Sequence, residues 1–219
     1  MTDAPTSSPT AAPAAGGDGA PATAGRAAAW GLVLGPVAFV VGWVVCGATI
    51  DGFSPVRYAI SDLAGVGSPR RWPMTAALVA YGLALVVGAA ALRRVGARGA
   101  ALAALVNGVA TLGVAATPVH GSDTVDGLHG IAAFVAYVSL AALPLAAARP
   151  LARAGHRNGA VASVAVGVAT ALAFAAANGN DRTGLFQRTG TTLGNTWTVL
   201  AGLAVLTGAW AASRPASAP

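Results

Sequence analysis

His120, Asp123, Asp126 and His129 stand three residues apart in the segment His-Gly-Ser-Asp-Thr-Val-Asp-Gly-Leu-His. On a helical turn, neighbours at that spacing share a face. Two imidazoles and two carboxylates brought together are donors for a hard or borderline metal such as zinc, with His120, Asp126 and His129 as the ligand set. The same residues suit proton handling near neutral pH. The plainer reading is a polar loop, with Asp126 near the start of a helix and His129 hydrogen-bonded at its end. Gly121 and Gly127 make one continuous helix through the segment doubtful.

Two further polar segments carry candidate chemistry. In Ile60-Ser61-Asp62-Leu63-Ala64, Ser61 or Asp62 is placed to cap a short helix lying at a membrane surface, or Asp62 turns into a polar cavity. In Gly184-Leu185-Phe186-Gln187-Arg188, the arginine fork suits three partners: a phosphate headgroup, the water at the interface, or an internal ion pair with Asp62, which is favoured. Asn107 and Asn195 fall inside apolar runs. An intramembrane Asn normally faces the bundle interior, where it bonds to a neighbouring helix or lines a solvated path.

The elements that must position these residues are membrane spans. The chain has 219 residues, 55% hydrophobic and only 9% charged, against about a quarter charged in an ordinary soluble domain. Its apolar residues come in runs of about 20, the length that crosses a hydrocarbon core. Six spans are expected, at about 27–49, 73–92, 99–117, 128–148, 159–177 and 191–212, forming an all-α bundle over residues 26–213. Pro73 suits a first helical position, while Pro118 and Pro150 stand just past the third and fourth spans. Residues 1–25, built of Ala, Pro, Thr, Ser and Gly, cannot bury apolar side chains and are expected to be a disordered tail. They do not read as a standard signal peptide, since no basic stretch leads directly into a short apolar core.

All 13 basic residues are Arg and all 7 acidic residues are Asp, a compositional bias with no function attached. The net charge of +6 does not argue for nucleic acid, because the Arg residues sit between the spans. With the N-terminus cytoplasmic, the inside holds eight of them (Arg26, Arg93, Arg94, Arg98, Arg149, Arg153, Arg157, Arg214) and the outside five (Arg57, Arg70, Arg71, Arg182, Arg188). That bias predicts both termini inside the cell membrane. It also places Asp51, Asp62, Asp123, Asp126, Asp181, His120 and His129 outside. The lone Cys46 excludes an intramolecular disulfide and a thiolate metal framework. Small residues four apart, such as Gly190, Gly194, Thr198 and Gly202, form ridges for close helix packing within one chain or between copies in a homo-oligomer.

The segments Ile60–Ala64, His129-Gly130 and Gly184–Arg188, in order and at the ends of the expected spans, resemble the bacterial and archaeal membrane family catalogued as domain of unknown function 998. The resemblance covers about residues 27–212. It implies a six-helix membrane protein with no established reaction, substrate or cofactor, and it draws Ser61, Asp62, His129, Gln187 and Arg188 into one outer-face cluster. Three functions remain. The first is binding or moving a small polar molecule or lipid through that cluster. The second is a metal-dependent intramembrane hydrolase acting on lipid, with Asp62 as base, for which two outer His are a sparse ligand supply. The third is a structural subunit assembled through the small-residue ridges, with membrane lipid as the surroundings in every case.

Overall fold

The structure, a computed structural model, describes residues 19–178 and 181–211. Among these residues there are six long helices and no strand: α1 (Gly19–Ala48), α2 (Arg71–Arg94), α3 (Arg98–Ala116), α4 (Asp123–Arg153), α5 (Arg157–Ala176) and α6 (Thr183–Thr207). A single 3₁₀ turn, Ser61–Ala64, interrupts the connection from α1 to α2. Most of the expected N-terminal tail, residues 1–18, lies outside the described residues, as does Ala212 at the end of the expected sixth span.

Each helix packs on the next in the chain, and α6 closes the ring against α1. In addition α6 meets α4 and α2 across the interior. The loops α1–α2, α3–α4 and α5–α6 gather at one end, called here the polar end. The turns α2–α3 and α4–α5 form the basic end, together with the start of α1 and the end of α6.

Small residues set the helix spacing. A Cβ on Gly31 would stand 2.3 Å from the Ala84 carbonyl oxygen, and one on Gly82 would stand 2.8 Å from that of Gly108, so backbone meets backbone there. The ridge on α6 is filled by the chain's own side chains: Gly190 faces the Phe174 ring, Gly194 faces Leu140, and Gly202 faces Leu32 and Val33. At the basic end both turns close alike. Gly96 (φ 79°) and Gly155 (φ 89°) take the left-handed conformation. Ala97 N–H then donates to Leu92 O (3.0 Å) and His156 N–H to Leu151 O (2.9 Å), which satisfies carbonyls that the helix end leaves open.

Five helices are long and apolar enough to cross a membrane: the Gly25–Ala48 part of α1, and α2 to α5. α6 falls short of that on composition alone. Its Gln187, Arg188, Thr191, Asn195 and Thr198 are buried among neighbours, while Leu200 and Leu203 face outward. The Gln, Arg and Asn side chains that lower its average thus lie inside the bundle, while Thr189, Thr192 and Thr196 are exposed. Two helices, α6 and α4, differ from the sequence reading at both ends. α6 starts at Thr183, so Gly184–Arg188 forms its first turns rather than a loop before it. It stops at Thr207, where Gly208 (φ 77°) turns the chain back and Trp210 N–H bonds to Ala204 O. α4 starts at Asp123 because the Ser122 hydroxyl accepts from Val125 N–H. It continues through Pro144 and Pro150 instead of ending before the second. Pro144 is fully buried against other helices, the setting in which a proline is tolerated inside a span.

Candidate functional site

The first loop folds onto the beginning of α6. Gly184 N–H donates to Arg57 O (3.3 Å) and Leu185 N–H to Val56 O (3.0 Å), so two of the helix's open donors are met by loop carbonyls. Only glycine allows this approach, since a Cβ on residue 184 would stand 2.2 Å from Tyr58 O and 2.6 Å from Pro55 O. One turn on, Arg188 is 7% exposed. Its Nη1 donates to Tyr58 O (2.7 Å), Pro55 O (2.8 Å) and Gly184 O (3.1 Å). The guanidinium lies between the rings of Trp43 and Phe53, with Cζ 5.3 and 5.5 Å from their centroids, an arrangement that favours a cation. Its Nε and Nη2 make no hydrogen bond among the described residues. Gln187 completes the clamp: its Oε1 accepts from Ile60 N–H (2.8 Å) and its Nε2 donates to the Tyr137 hydroxyl.

The expected pair of Arg188 with Asp62 is therefore replaced by backbone carbonyls. Asp62 accepts from Ala59 N–H (2.8 Å) through Oδ2, bracing its own turn, and its Oδ1 lies 3.2 Å from His120 Nε2. Ile60, not Ser61 or Asp62, occupies the cap position of that turn and supplies no side-chain bond.

The second loop separates the residues that the sequence placed together. His120 is exposed, holds φ 65° and faces Asp62. Asp123 and Asp126 sit in the first turn of α4, where a negative charge is favourable, and Asp126 Oδ1 accepts weakly from Gly121 N–H (3.4 Å). His129 turns inward, 7% exposed, with Nδ1 2.6 Å from Thr117 O. A carbonyl only accepts, so Nδ1 carries the proton and Nε2 is left as an acceptor. His120, Asp126 and His129 do not converge, because the helix begins between them and turns them apart. Among the described residues no group of three or more His, Cys or Asp side chains is placed to hold a metal ion.

His129 borders two adjoining spaces. A small interior cavity of about 60 Å³ lies among α2, α3, α4 and α6, bordered by Ser61, Tyr81, Asn107, Thr111, His129 and Thr191. That is room for a few waters. A larger cleft of about 660 Å³ opens sideways between α4 and α5, inside the size range of small-molecule sites. Its length is apolar, with Phe134, Val138, Leu145 and Ala171, and its head is Ser61, His129, Asn178 and Gln187. Ser61, His129, Ala133 and Tyr137 border both spaces. No Arg or Asp borders either one. The Ser61 hydroxyl and His129 Nε2 have no hydrogen-bond partner among the described residues, and the Tyr137 hydroxyl, which accepts from Gln187, still has its proton to give. The junction thus offers two hydroxyl donors and an imidazole acceptor, all uncharged with His129 neutral.

Below the junction Asn107 and Asn195 form a knot. Tyr81 Oη lies 2.9 Å from Oδ1 of both Asn107 and Asn195. Asn107 Nδ2 is committed to Ala136 O (2.6 Å), so Asn107 accepts the single Tyr81 proton. The Asn195 amide then presents its NH₂ to Tyr81, since one hydroxyl proton cannot serve both oxygens. This joins α2, α3, α4 and α6, the helix-to-helix role considered for Asn107 and Asn195. It fills the space beneath the cavity rather than continuing it as a path.

Tyr137, Tyr81 and Phe174 belong to this region and were not singled out from the sequence. A signal was there for Tyr137: with Ala133 it follows His129 at intervals of four, on one helix face. A family model described as "Protein of unknown function (DUF998)" matches residues 33–204. No curated protein and no solved structure matches the chain.

Proposed function

The chain belongs to the DUF998 family of proteins of unknown function, and we propose that it is a multi-pass protein of the cell membrane that binds a membrane amphiphile from the side. In this reading all six helices span the bilayer, α6 included, because its Gln187, Arg188 and Asn195 side chains are turned inward. The distribution of Arg supports cytoplasmic termini, which puts the polar end outside. The amphiphile's apolar tail lies in the cleft between α4 and α5. Its head reaches the junction of Ser61, His129 and Tyr137.

The cleft carries this reading: it is apolar along its length, polar at one end, and open toward lipid. The absence of Arg and Asp from its lining narrows the head to an uncharged hydrogen-bonding group such as an ester, amide or alcohol, since a phosphate there would lack a counter-charge. Movement of a polar solute through the bundle is the weaker form of the same idea, because the Tyr81–Asn107–Asn195 knot closes the way below the cavity.

The test is native mass spectrometry of the detergent-purified protein titrated with a monoacylglycerol or with an alkyl phosphate of the same chain length. The monoacylglycerol is expected to bind one per chain and at least tenfold tighter. The double substitution A171W/A175W fills the cleft from its exposed side and is expected to abolish that binding. Equal binding of both probes overturns the uncharged head, and binding that survives the filled cleft overturns the site.

A further inference from the structure

We propose that His129 makes the junction a hydrolytic site: it draws a water from the small interior cavity and directs it at the ester carbonyl of an uncharged single-chain amphiphile lying in the cleft between α4 and α5. This rests on the reading of that cleft as a lateral amphiphile site. Its own support is the pairing of the two spaces. The cavity of about 60 Å³ has room for water and none for a lipid. The cleft of about 660 Å³ has room for an acyl chain. Ser61, His129 and Tyr137 border both, so a water from one side and an ester from the other meet at the same three side chains.

The imidazole is set to accept a proton. Thr117 follows the last residue of α3, and its carbonyl takes the Nδ1 proton at 2.6 Å. That bond fixes the tautomer and leaves Nε2 with a lone pair. Among the described residues, the enclosed side-chain nitrogens and oxygens without a partner belong to Trp43, Thr170, Arg188 and Asn195. His129 Nε2 also lacks a partner but is not enclosed, so it opens onto a space rather than onto packed atoms. The Thr111 hydroxyl is in the same condition, and Thr111 borders the cavity but not the cleft. Together they give a water the polar partners it needs. An ester carbonyl has no proton to offer. A site that only held one would use the Ser61 and Tyr137 hydroxyls and leave Nε2 idle, whereas a water answers it.

Water and ester are the only reactants. His129 Nε2 takes a proton from the water as the water oxygen bonds to the carbonyl carbon. The carbonyl electron pair moves onto its oxygen, which accepts from the Ser61 and Tyr137 hydroxyls. The intermediate then collapses: the bond from the acyl carbon to the alcohol oxygen breaks, and the departing oxygen takes the proton back from Nε2. The products are a fatty acid and an alcohol, with His129 neutral again. The depth suits such a bond. His129 lies six residues past the start of α4 at Asp123, roughly 9 Å along the helix, near where the head of an amphiphile joins its chain.

The test uses the full chain in detergent with two probes, a monoacylglycerol and the alkyl glycerol ether of the same length, which has no ester to cleave. Binding of the ether is read by native mass spectrometry, and release of fatty acid from the ester is followed in isotopically labelled water. The wild-type chain is expected to bind the ether and to release fatty acid carrying the label. H129N keeps a donor for Thr117 O, since the Asn amide nitrogen stands near the place of Nδ1, but removes the base. It is expected to lower kcat at least about a hundredfold while ether binding stays within about twofold. S61A removes one donor to the carbonyl oxygen and is expected to lower kcat about tenfold. T111L fills the cavity from the side away from the cleft, and is expected to lose turnover and keep the ether. Ether binding without ester cleavage would overturn the hydrolytic site and leave the amphiphile cleft standing. No ether binding would overturn the cleft and the hydrolysis with it. Full turnover by H129N would overturn the base, and full turnover by T111L would overturn the cavity as the source of water. An acyl adduct on the chain, or S61A as inactive as H129N, would move the attack to the Ser61 hydroxyl and overturn the direct role of water.

Discussion

Two segments at the polar end looked equally chemical in the sequence, and the structure gives them opposite roles. The first turns of α6, Gly184 to Arg188, spend their polar groups on the backbone of the first loop. The second loop, His120 to His129, spends little: His120 and Asp62 meet at the surface, and His129 keeps one nitrogen unused. The difference lies in what each side chain is bonded to, not in its residue type. A buried cation that donates to three carbonyls holds the fold together. An imidazole with a spare acceptor beside a cavity is available for something else.

The sharpest way to break this comparison is at the clamp itself. R188A removes the donor for three carbonyls and the cation between Trp43 and Phe53, and G184A forces a Cβ against two backbone oxygens. Each is expected to cost about 3–5 kcal/mol in a denaturant titration of the detergent-solubilised protein. Q187L orphans Ile60 N–H and the Tyr137 hydroxyl, and is expected to cost about 2–3 kcal/mol in the same titration. At the other segment, H120A removes the contact with Asp62 of a histidine that is 62% exposed, so a loss of less than about 1 kcal/mol is expected. G127A and G130A, where a Cβ meets nothing within 4 Å, should be close to neutral. If H120A proved as damaging as R188A, the division into a structural clamp and an open loop would fail.

Much of the helical framework was readable because apolar runs of membrane length leave few alternatives. The start of α6 was misplaced because hydropathy averages over a helix's whole circumference. Gln187, Arg188 and Asn195 lower the average although they face inward, so the segment reads as a loop followed by a shorter span. The cluster of Ser61, Asp62, His129, Gln187 and Arg188 does gather at one end, yet the bonds within it were not readable. Spacing shows which residues share a face, but it does not show that a loop about 130 residues upstream offers its carbonyls to Arg188. The three-residue spacing of His120, Asp123, Asp126 and His129 would gather all four only on one continuous helix, which Gly121 and Gly127 made doubtful. α4 begins at Asp123 under the Ser122 cap and leaves His120 on the other side of the break, as in the plainer reading of a polar loop with Asp126 near the helix start.

The bond from Ile60 to Gln187 spans 127 positions of the chain, and this has a consequence for biogenesis. A ribosome delivers the first loop long before it delivers α6. Until the last helix inserts, Pro55 O, Tyr58 O and Ile60 N–H wait without their partners, and α1 has no closing neighbour. The bonds of the first loop to α6 therefore form only after α6 has been made. A chain truncated before residue 184 would leave these backbone groups of the first loop without their partners.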